Sequence, residues 1–380
     1  MIYLDHAATT PLPEAVADTM YDVLRHQFGN PSAQYPLGRE AKELVEEARR
    51  TIAGALGCQP SALHFTSCGT ESDNWAIRAA AWQGRHTGRH IITTAVEHSA
   101  VLEPCRQLEQ EGYEVTYLKP DRTGHISAGQ VAEALREDTV LVSVMLVNNE
   151  TGCLFPVADI ARLLKERGSR ALLHCDAVQG FLKVPCAPAG WGVDLMSLSA
   201  HKIGGPKGIG ALYVRPDLRN LRPLLAGGGQ EGGYRSGTEG TPAIFGFAAA
   251  CSAGEVTFRE DIQKEQALKE HLVSALSSLP GVEITGAHEA PHILSIAVPG
   301  VPTQNSINIL QDRGICVSAG SACAKGHRSH VLSAMGTAPE IIDSTFRVSL
   351  CRLNTQEEAD ALVSAIREDI LPRVKPERSK

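Results

Sequence analysis

The stretch Ala62-Leu63-His64-Phe65-Thr66-Ser67-Cys68-Gly69-Thr70-Glu71-Ser72 decides the fold. Residues 62–66 form a short apolar run, residues 67–70 are small, and from 71 to 82 apolar positions recur at helical spacing. Strand, tight turn and helix in that order make the unit from which helix-wrapped parallel sheets are assembled. The alternation continues outward in both directions. Upstream, residues 42–56 have helical spacing and stop at Gly57. Downstream, strands are expected at 90–94, 114–118, 139–147 and 171–174, with helices at 101–111 and 158–167. The character changes near residue 255, where a charged helix over 257–279 leads into Pro-interrupted strands and a final helix from 355 to about 370. The expected plan is α/β. A segment over 1–15 joins the small domain, residues 16–255 form a large domain with a mostly parallel sheet, and 256–380 form a smaller α+β domain.

With 380 residues, 43% apolar and 21% charged, the chain has the composition of a soluble globular protein with room for two or three domains. A net charge of −7 argues against general nucleic-acid or membrane-surface binding. Met1-Ile2-Tyr3-Leu4-Asp5 lacks the basic region and apolar core of a secretory signal, and no apolar run approaches the ~20 residues that span a bilayer. A cytoplasmic location is expected. The ten cysteines include no C-x-x-C pair and no Cys/His spacing suited to zinc, so no metal is expected. Nine of them read as free, buried, inert thiols. Cys323 stands apart. Ala319-Gly320-Ser321 precede it, Ala324-Lys325-Gly326 follow it, and Lys325, His327 and Arg328 favour a thiolate.

In a sheet of this kind ligands gather at the carboxyl ends of the strands. Gly69 and Thr70 stand where a helix begins, so bare amides and a hydroxyl can cradle a phosphate there; Ser67 or Thr70 would equally serve as a plain capping box. His98 follows the strand at 90–94 and suits stacking or proton transfer, or a structural hydrogen bond. Asn148-Asn149-Glu150 closes the strand at 139–147, either as a ligand contact or as an ordinary polar turn. Asp176, with Gln179 three residues on, ends an apolar strand, where a carboxylate needs a cationic partner. A protonated ring nitrogen and an unseen lysine or arginine both qualify. Ser199-Ala200-His201-Lys202 runs from a buried strand into a glycine-rich loop. Desolvation lowers the pKa of such a lysine and leaves an amine able to attack a carbonyl. With a hydroxyl and an imidazole beside it to hold a phosphate, Lys202 suggests a Schiff-base lysine carrying pyridoxal phosphate; taken alone, the stretch reads more readily as a solvated lysine near a strand end.

An ordered set of motifs resembles the cysteine desulfurases, the NifS/IscS branch of the class V aminotransferase family. They are Tyr3-Leu4-Asp5-His6-Ala7-Ala8-Thr9-Thr10, Phe28-Gly29-Asn30-Pro31-Ser32, Phe65 through Asn74, Glu97-His98, Val147-Asn148-Asn149-Glu150, Asp176-Ala177-Val178-Gln179, His201-Lys202, Arg235-Ser236-Gly237-Thr238 and Gly320-Ser321-Ala322-Cys323. The resemblance runs over roughly residues 2 to 370. It implies a fold type I pyridoxal-phosphate enzyme with a seven-stranded sheet, acting as a homodimer. Lys202 would carry the cofactor; Gly69, Thr70, Ser199 and His201 would bind its phosphate, joined by Thr238 of the other subunit. His98 would stack on the ring, Asp176 would pair with the ring nitrogen, and Gln179 would bond the phenolic oxygen. Asn149 would contact cofactor and substrate, and Arg347 would clamp the substrate carboxylate.

The implied activity is removal of sulfur from L-cysteine, with L-alanine released and a persulfide left on Cys323. That persulfide would pass to an acceptor in iron–sulfur cluster assembly or in thiolation of tRNA or a cofactor. Three departures from the family pattern bear on that acceptor. The link from Cys323 to Val331 is about two residues shorter than usual. Gly232 and Tyr234 replace arginines common there, and the chain stops at Lys380 without a longer tail. The alternatives are a selenocysteine lyase, a cysteine lyase, a transaminase that would give Cys323 no task, or an assembly platform with little turnover.

Overall fold

The computed structural model describes residues 1–319 and 328–374. The chain opens with β1 (Ile2–Tyr3), α1 (Glu14–His26) and α2 (Pro36–Leu56). Then come β2 (Leu63–Thr66), α3 (Gly69–Gly84), β3 (His90–Thr94), α4 (Ser99–Gln110) and β4 (Glu114–Leu118). α5 (Ala128–Ala134), β5 (Thr139–Ser143), α6 (Val157–Glu166), β6 (Leu172–Asp176) and α7 (Pro188–Trp191) follow. β7 (Leu195–Ser199) and β8 (Gly210–Val214) complete the main sheet, and α8 (Thr241–Ser277) leaves it. The remainder comprises β9 (Glu283–Thr285), β10 (Ile293–Ala297), α9 (Thr303–Asp312) and β11 (Ile315–Cys316). It ends with α10 (His330–Ala334), α11 (Pro339–Ile342), β12 (Thr345–Ser349) and α12 (Gln356–Ala365).

The main sheet has seven strands in the order β2-β8-β7-β6-β5-β3-β4. β4, β3, β5, β6 and β7 pair in parallel, while β8 is antiparallel to both β7 and β2. β8 alone is therefore reversed, and the carboxyl ends of the others share one edge. β5, β7 and β8 are buried along their whole length, as expected for strands covered on both faces. Successive residues divide between two cores. Ile91, Leu141, Leu195 and Leu212 pack with α3 and α4, while Ile92, Val142, Met196 and Tyr213 join the core on the other face.

Local chemistry sets the element ends. α2 stops where Gly57 adopts φ 71° and its N–H bonds back to Ala53 and Gly54. α12 begins with a capping box between Thr355 and Glu358. Two elements differ from expectation. The strand expected at 139–147 leaves the ladder after Ser143, and Val147 instead forms a bridge with Leu154 that turns the chain along the sheet edge. The charged helix expected over 257–279 is the second half of α8, a single 37-residue helix. Its first half packs on α1 and α2, its second on α12 and β9.

A second sheet, β12-β10-β9, is antiparallel and has its own core, which includes Leu272, Leu294, Phe346 and Leu362. β1 pairs in parallel with β11, Asp5 bridges to Ser349, and Leu4 lies in that second core. From there the N-terminal segment passes on toward the edge of the main sheet. Among the described residues, no helix is long and apolar enough to cross a membrane.

Candidate active site

The strand ends converge on one cavity of about 350 Å³. β2 delivers Cys68, Gly69 and Thr70; β3 delivers His98; the turn after β5 delivers Asn149. β6 supplies Asp176 and Gln179, and β7 supplies Ser199, His201 and Lys202. Arg347, from the middle of β12, closes the cavity from the second sheet.

The start of α3 carries no side-chain cap, so neither Ser67 nor Thr70 closes the helix as a capping box would. Its first amides stay available at the positive end of the dipole. Gly69 is required by a close approach, because a Cβ there would lie 2.7 Å from Val178 Cγ2. His98 is the N-cap of α4, and its Nδ1 accepts the Ala100 N–H at 3.1 Å. In the neutral ring that bond leaves the proton on Nε2. Solvent exclusion and the nearby Lys202 and His330 hold the His98 pKa below its ordinary value, against the pull of Asp176.

Lys202 Nζ donates to the carbonyls of Ala7 at 2.7 Å and Ala8 at 2.8 Å. Burial, reinforced by the positive charges of Arg347 and Lys183, brings its pKa down to about 8. Asp176 accepts the Val178 N–H at 2.9 Å, and burial still raises its pKa, with His98 and Lys202 pulling the other way. Gln179 donates through Nε2 to Ala7 at 2.8 Å and leaves Oε1 without a partner. His201 Nδ1 lies 3.2 Å from Thr9 Oγ1, and burial brings its pKa down to about 4. Arg347 donates to the Asn149 carbonyl and to Asp5, both at 2.8 Å, while its Nε has no partner.

The residues fit pyridoxal phosphate. Ser199 Oγ, Gln179 Oε1 and Arg347 Nε are buried polar atoms without hydrogen-bond partners among the described residues, and all three belong to residues around this cavity. Buried polar atoms are rarely left unpaired unless something else is to meet them. Bare helix amides suit a phosphate, and a buried carboxylate suits a protonated ring nitrogen.

Thr238 is exposed and is not among the residues lining this cavity. Cys323 lies outside the described residues, as do Lys325 and His327. The chain on either side of it is anchored at the cavity. Ser318 lines it and exchanges backbone hydrogen bonds with Arg347. On the far side Ser329 Oγ donates to Glu150 at 2.5 Å, and His330 Nε2 meets the Glu97 carbonyl at 2.9 Å. Arg328, the next described residue after Cys323, has its guanidinium held by both Asp343 carboxylate oxygens at 2.7 Å. Cys68 corrects an expectation: it is partly exposed and lines the cavity rather than being buried.

Several contributors escaped the sequence reading. Ala7 and Ala8 act through backbone carbonyls, for which side-chain identity carries no signal. Asp73 lies one turn into α3 with 1% exposure, and burial together with Asp176 holds its pKa well above the carboxylate range. A carboxylate on the apolar face of a helix is the signal that could have found it. Glu97, fully enclosed, accepts from Thr94 Oγ1 at 2.9 Å and Met145 N at 3.0 Å, and burial pushes its pKa up to about 8.

Comparison with known proteins gives the same assignment. The model of the aminotransferase class-V family matches residues 2–362. The cysteine desulfurase IscS of Methanosarcina thermophila is 38% identical over 371 residues, which is 97% of this chain and 91% of that protein. A solved NifS-like protein superposes with a TM-score of 0.92 at 38% identity, covering 97% of this chain and 99% of the other. The structure described as SspA in complex with cysteine has a TM-score of 0.80 at 35% identity, over 93% of this chain and 100% of that one. Members of this family are pyridoxal-phosphate enzymes. The chain belongs to the class-V aminotransferase family, in its branch of NifS/IscS-like cysteine desulfurases.

Proposed function

We propose that this chain is a pyridoxal-phosphate-dependent cysteine desulfurase that removes sulfur from L-cysteine, releases L-alanine and carries the sulfur as a persulfide on Cys323. The observation that carries this reading is the convergence of Lys202, Asp176, His98 and Arg347 on one cavity bounded by unpartnered polar atoms. The amides at Gly69 and Thr70, with Ser199 and His201, would hold the phosphate. Asp176 would pair with the ring nitrogen, Gln179 would bond the phenolic oxygen and His98 would cover the ring. Bound there, the cofactor supplies a sink for negative charge at the substrate Cα.

The other steps belong to side chains of this protein. Arg347 and Asn149 fix the substrate carboxylate, and the Asp5 contact keeps the guanidinium aimed. Lys202, its pKa brought down to about 8 by burial, takes a proton from Cα and returns one when alanine forms. The Cys323 thiolate attacks the substrate sulfur, so the new S–S bond forms as the Cβ–S bond breaks and its electron pair stays on the alanine carbon framework. The anchored ends at Ser318 and Ser329 support delivery of Cys323 to the cavity. The persulfide then passes to a sulfur-acceptor protein. Thr238, exposed on its own chain, serves the cavity of the second subunit of a homodimer.

The test is release of alanine and sulfide from L-cysteine with a reductant, wild type beside Cys323→Ser. Equal yields of both products from the wild type and neither from a cofactor-loaded variant are expected. Sulfide release retained by Cys323→Ser would remove the residue from the reaction.

A further inference from the structure

A second cavity, of about 330 Å³, lies on the other side of Lys202, which lines both. Residues 10–14 form one wall and α8 forms another, through Ala250, Ala253 and Ile262. Leu182, Ile203 and Leu353 make the lining largely apolar. Two opposite charges are set into it. Lys183 is 6% exposed and its Nζ has no hydrogen-bond partner. Glu265 is 7% exposed, and each group feels the other's charge, yet no ion pair joins them among the described residues. Glu265 takes the Arg352 backbone N–H, whereas the Lys183 ammonium has no hydrogen-bond partner among the described residues, so its desolvation cost stands uncompensated while two opposite charges line one cavity without pairing.

We propose that this cavity binds a free α-amino acid with an apolar side chain, its carboxylate on Lys183 and its ammonium on Glu265. A zwitterion satisfies both charges at once. A simple carboxylate would leave Glu265 without a cationic partner, and a simple amine would leave Lys183 unpaired. The side chain lies against Leu182, Ile203 and Leu353. Asp261 and Arg352 also line the cavity; Asp261 is engaged by Thr257 Oγ1 at 2.6 Å, and Lys264 donates to the Arg352 carbonyl. Because residues 10–13 and Lys202 belong to the wall, an occupant here bears directly on the lysine of the first cavity. The proposal does not rest on the reaction proposed above.

Equilibrium dialysis of the cofactor-loaded protein with radiolabelled L-leucine tests the site, with 4-methylpentanoate and 3-methylbutylamine as one-charge competitors. Saturable binding of one leucine per chain is expected, displaced by neither competitor. Lys183→Met should weaken it about tenfold or more, the loss of one charge-assisted hydrogen bond. Ala253→Phe, which fills the second cavity and does not line the first, should abolish binding while cofactor loading persists. If Lys183→Met fails to fold, Ala253→Phe decides. Absence of saturable binding up to about 10 mM, or binding unchanged in Ala253→Phe, overturns the site.

Discussion

Glu97 shows how much of this site is held by groups that touch nothing in the cavity. Its carboxyl is fully enclosed, with Oε1 taking two hydrogen bonds and Oε2 none. Burial raises its pKa from 4.5 to about 8, so the folded protein binds a proton there that the unfolded chain releases. Between those two values the contribution is present at low pH and is lost as pH rises through the folded pKa. Glu97→Gln keeps an acceptor for Thr94 and Met145 and cannot ionise. Its stability relative to wild type should rise steadily from about pH 5 to about pH 8.5, read from urea unfolding of the cofactor-free proteins. A difference that stays flat over that range would mean that Glu97 is already ionised at pH 5. The buried neutral histidines act in the opposite sense. His174, brought down to about 3, and His201, brought down to about 4, oppose folding as the medium is acidified below the ordinary histidine pKa.

Elements rather than residues set the proposed phosphate end of the site. α3 begins with bare amides because Gly69 lets the helix start settle against Val178, in the turn that also holds Asp176 and Gln179. Gly69→Val should leave the fold intact and weaken cofactor retention about tenfold or more, since the branched Cβ must push the amides away from the phosphate position. Dialysis followed by absorbance of the retained cofactor measures it, and retention equal to wild type would show that the helix start is not the cradle. This unit was legible in the sequence because strand, small-residue turn and helix are local features. So were Asp176 and Ser199, the last residues of buried strands, and Lys202, three residues beyond one. The roles of Ala7 and Ala8 were not, because a carbonyl contributed across nearly two hundred residues leaves no trace in side-chain pattern. Lys183 and Glu265 were hidden for a related reason: each is an ordinary charged residue in its own segment, and only the packing of α8 against the loop after β6 buries them together. The strand over 139–147 was read as too long because its apolar run continues into core-facing residues that leave the ladder.

At the scale of the whole molecule, the proposed homodimer makes it testable which subunit each cavity draws on. Thr238 is exposed, follows the turn at 231–233 and is absent from the lining of its own cavity. Service in trans makes a sharp prediction for mixed dimers. Pairing a Lys202→Ala chain with a Thr238→Val chain places both lesions in one cavity if Thr238 acts across the interface. The other cavity then combines an intact Lys202 with the intact Thr238 of its neighbour. Such dimers, isolated with two different affinity tags, should release alanine at about half the wild-type rate per dimer. They should bind the cofactor at the intact site as tightly as wild type. Service within one chain spreads the two lesions over both cavities. The Lys202-intact site would then bear the Thr238→Val defect, and activity should fall to that of a Thr238→Val homodimer counted over one site. The two outcomes differ by the full effect of Thr238→Val, so the same comparison decides whether a complete site needs two chains.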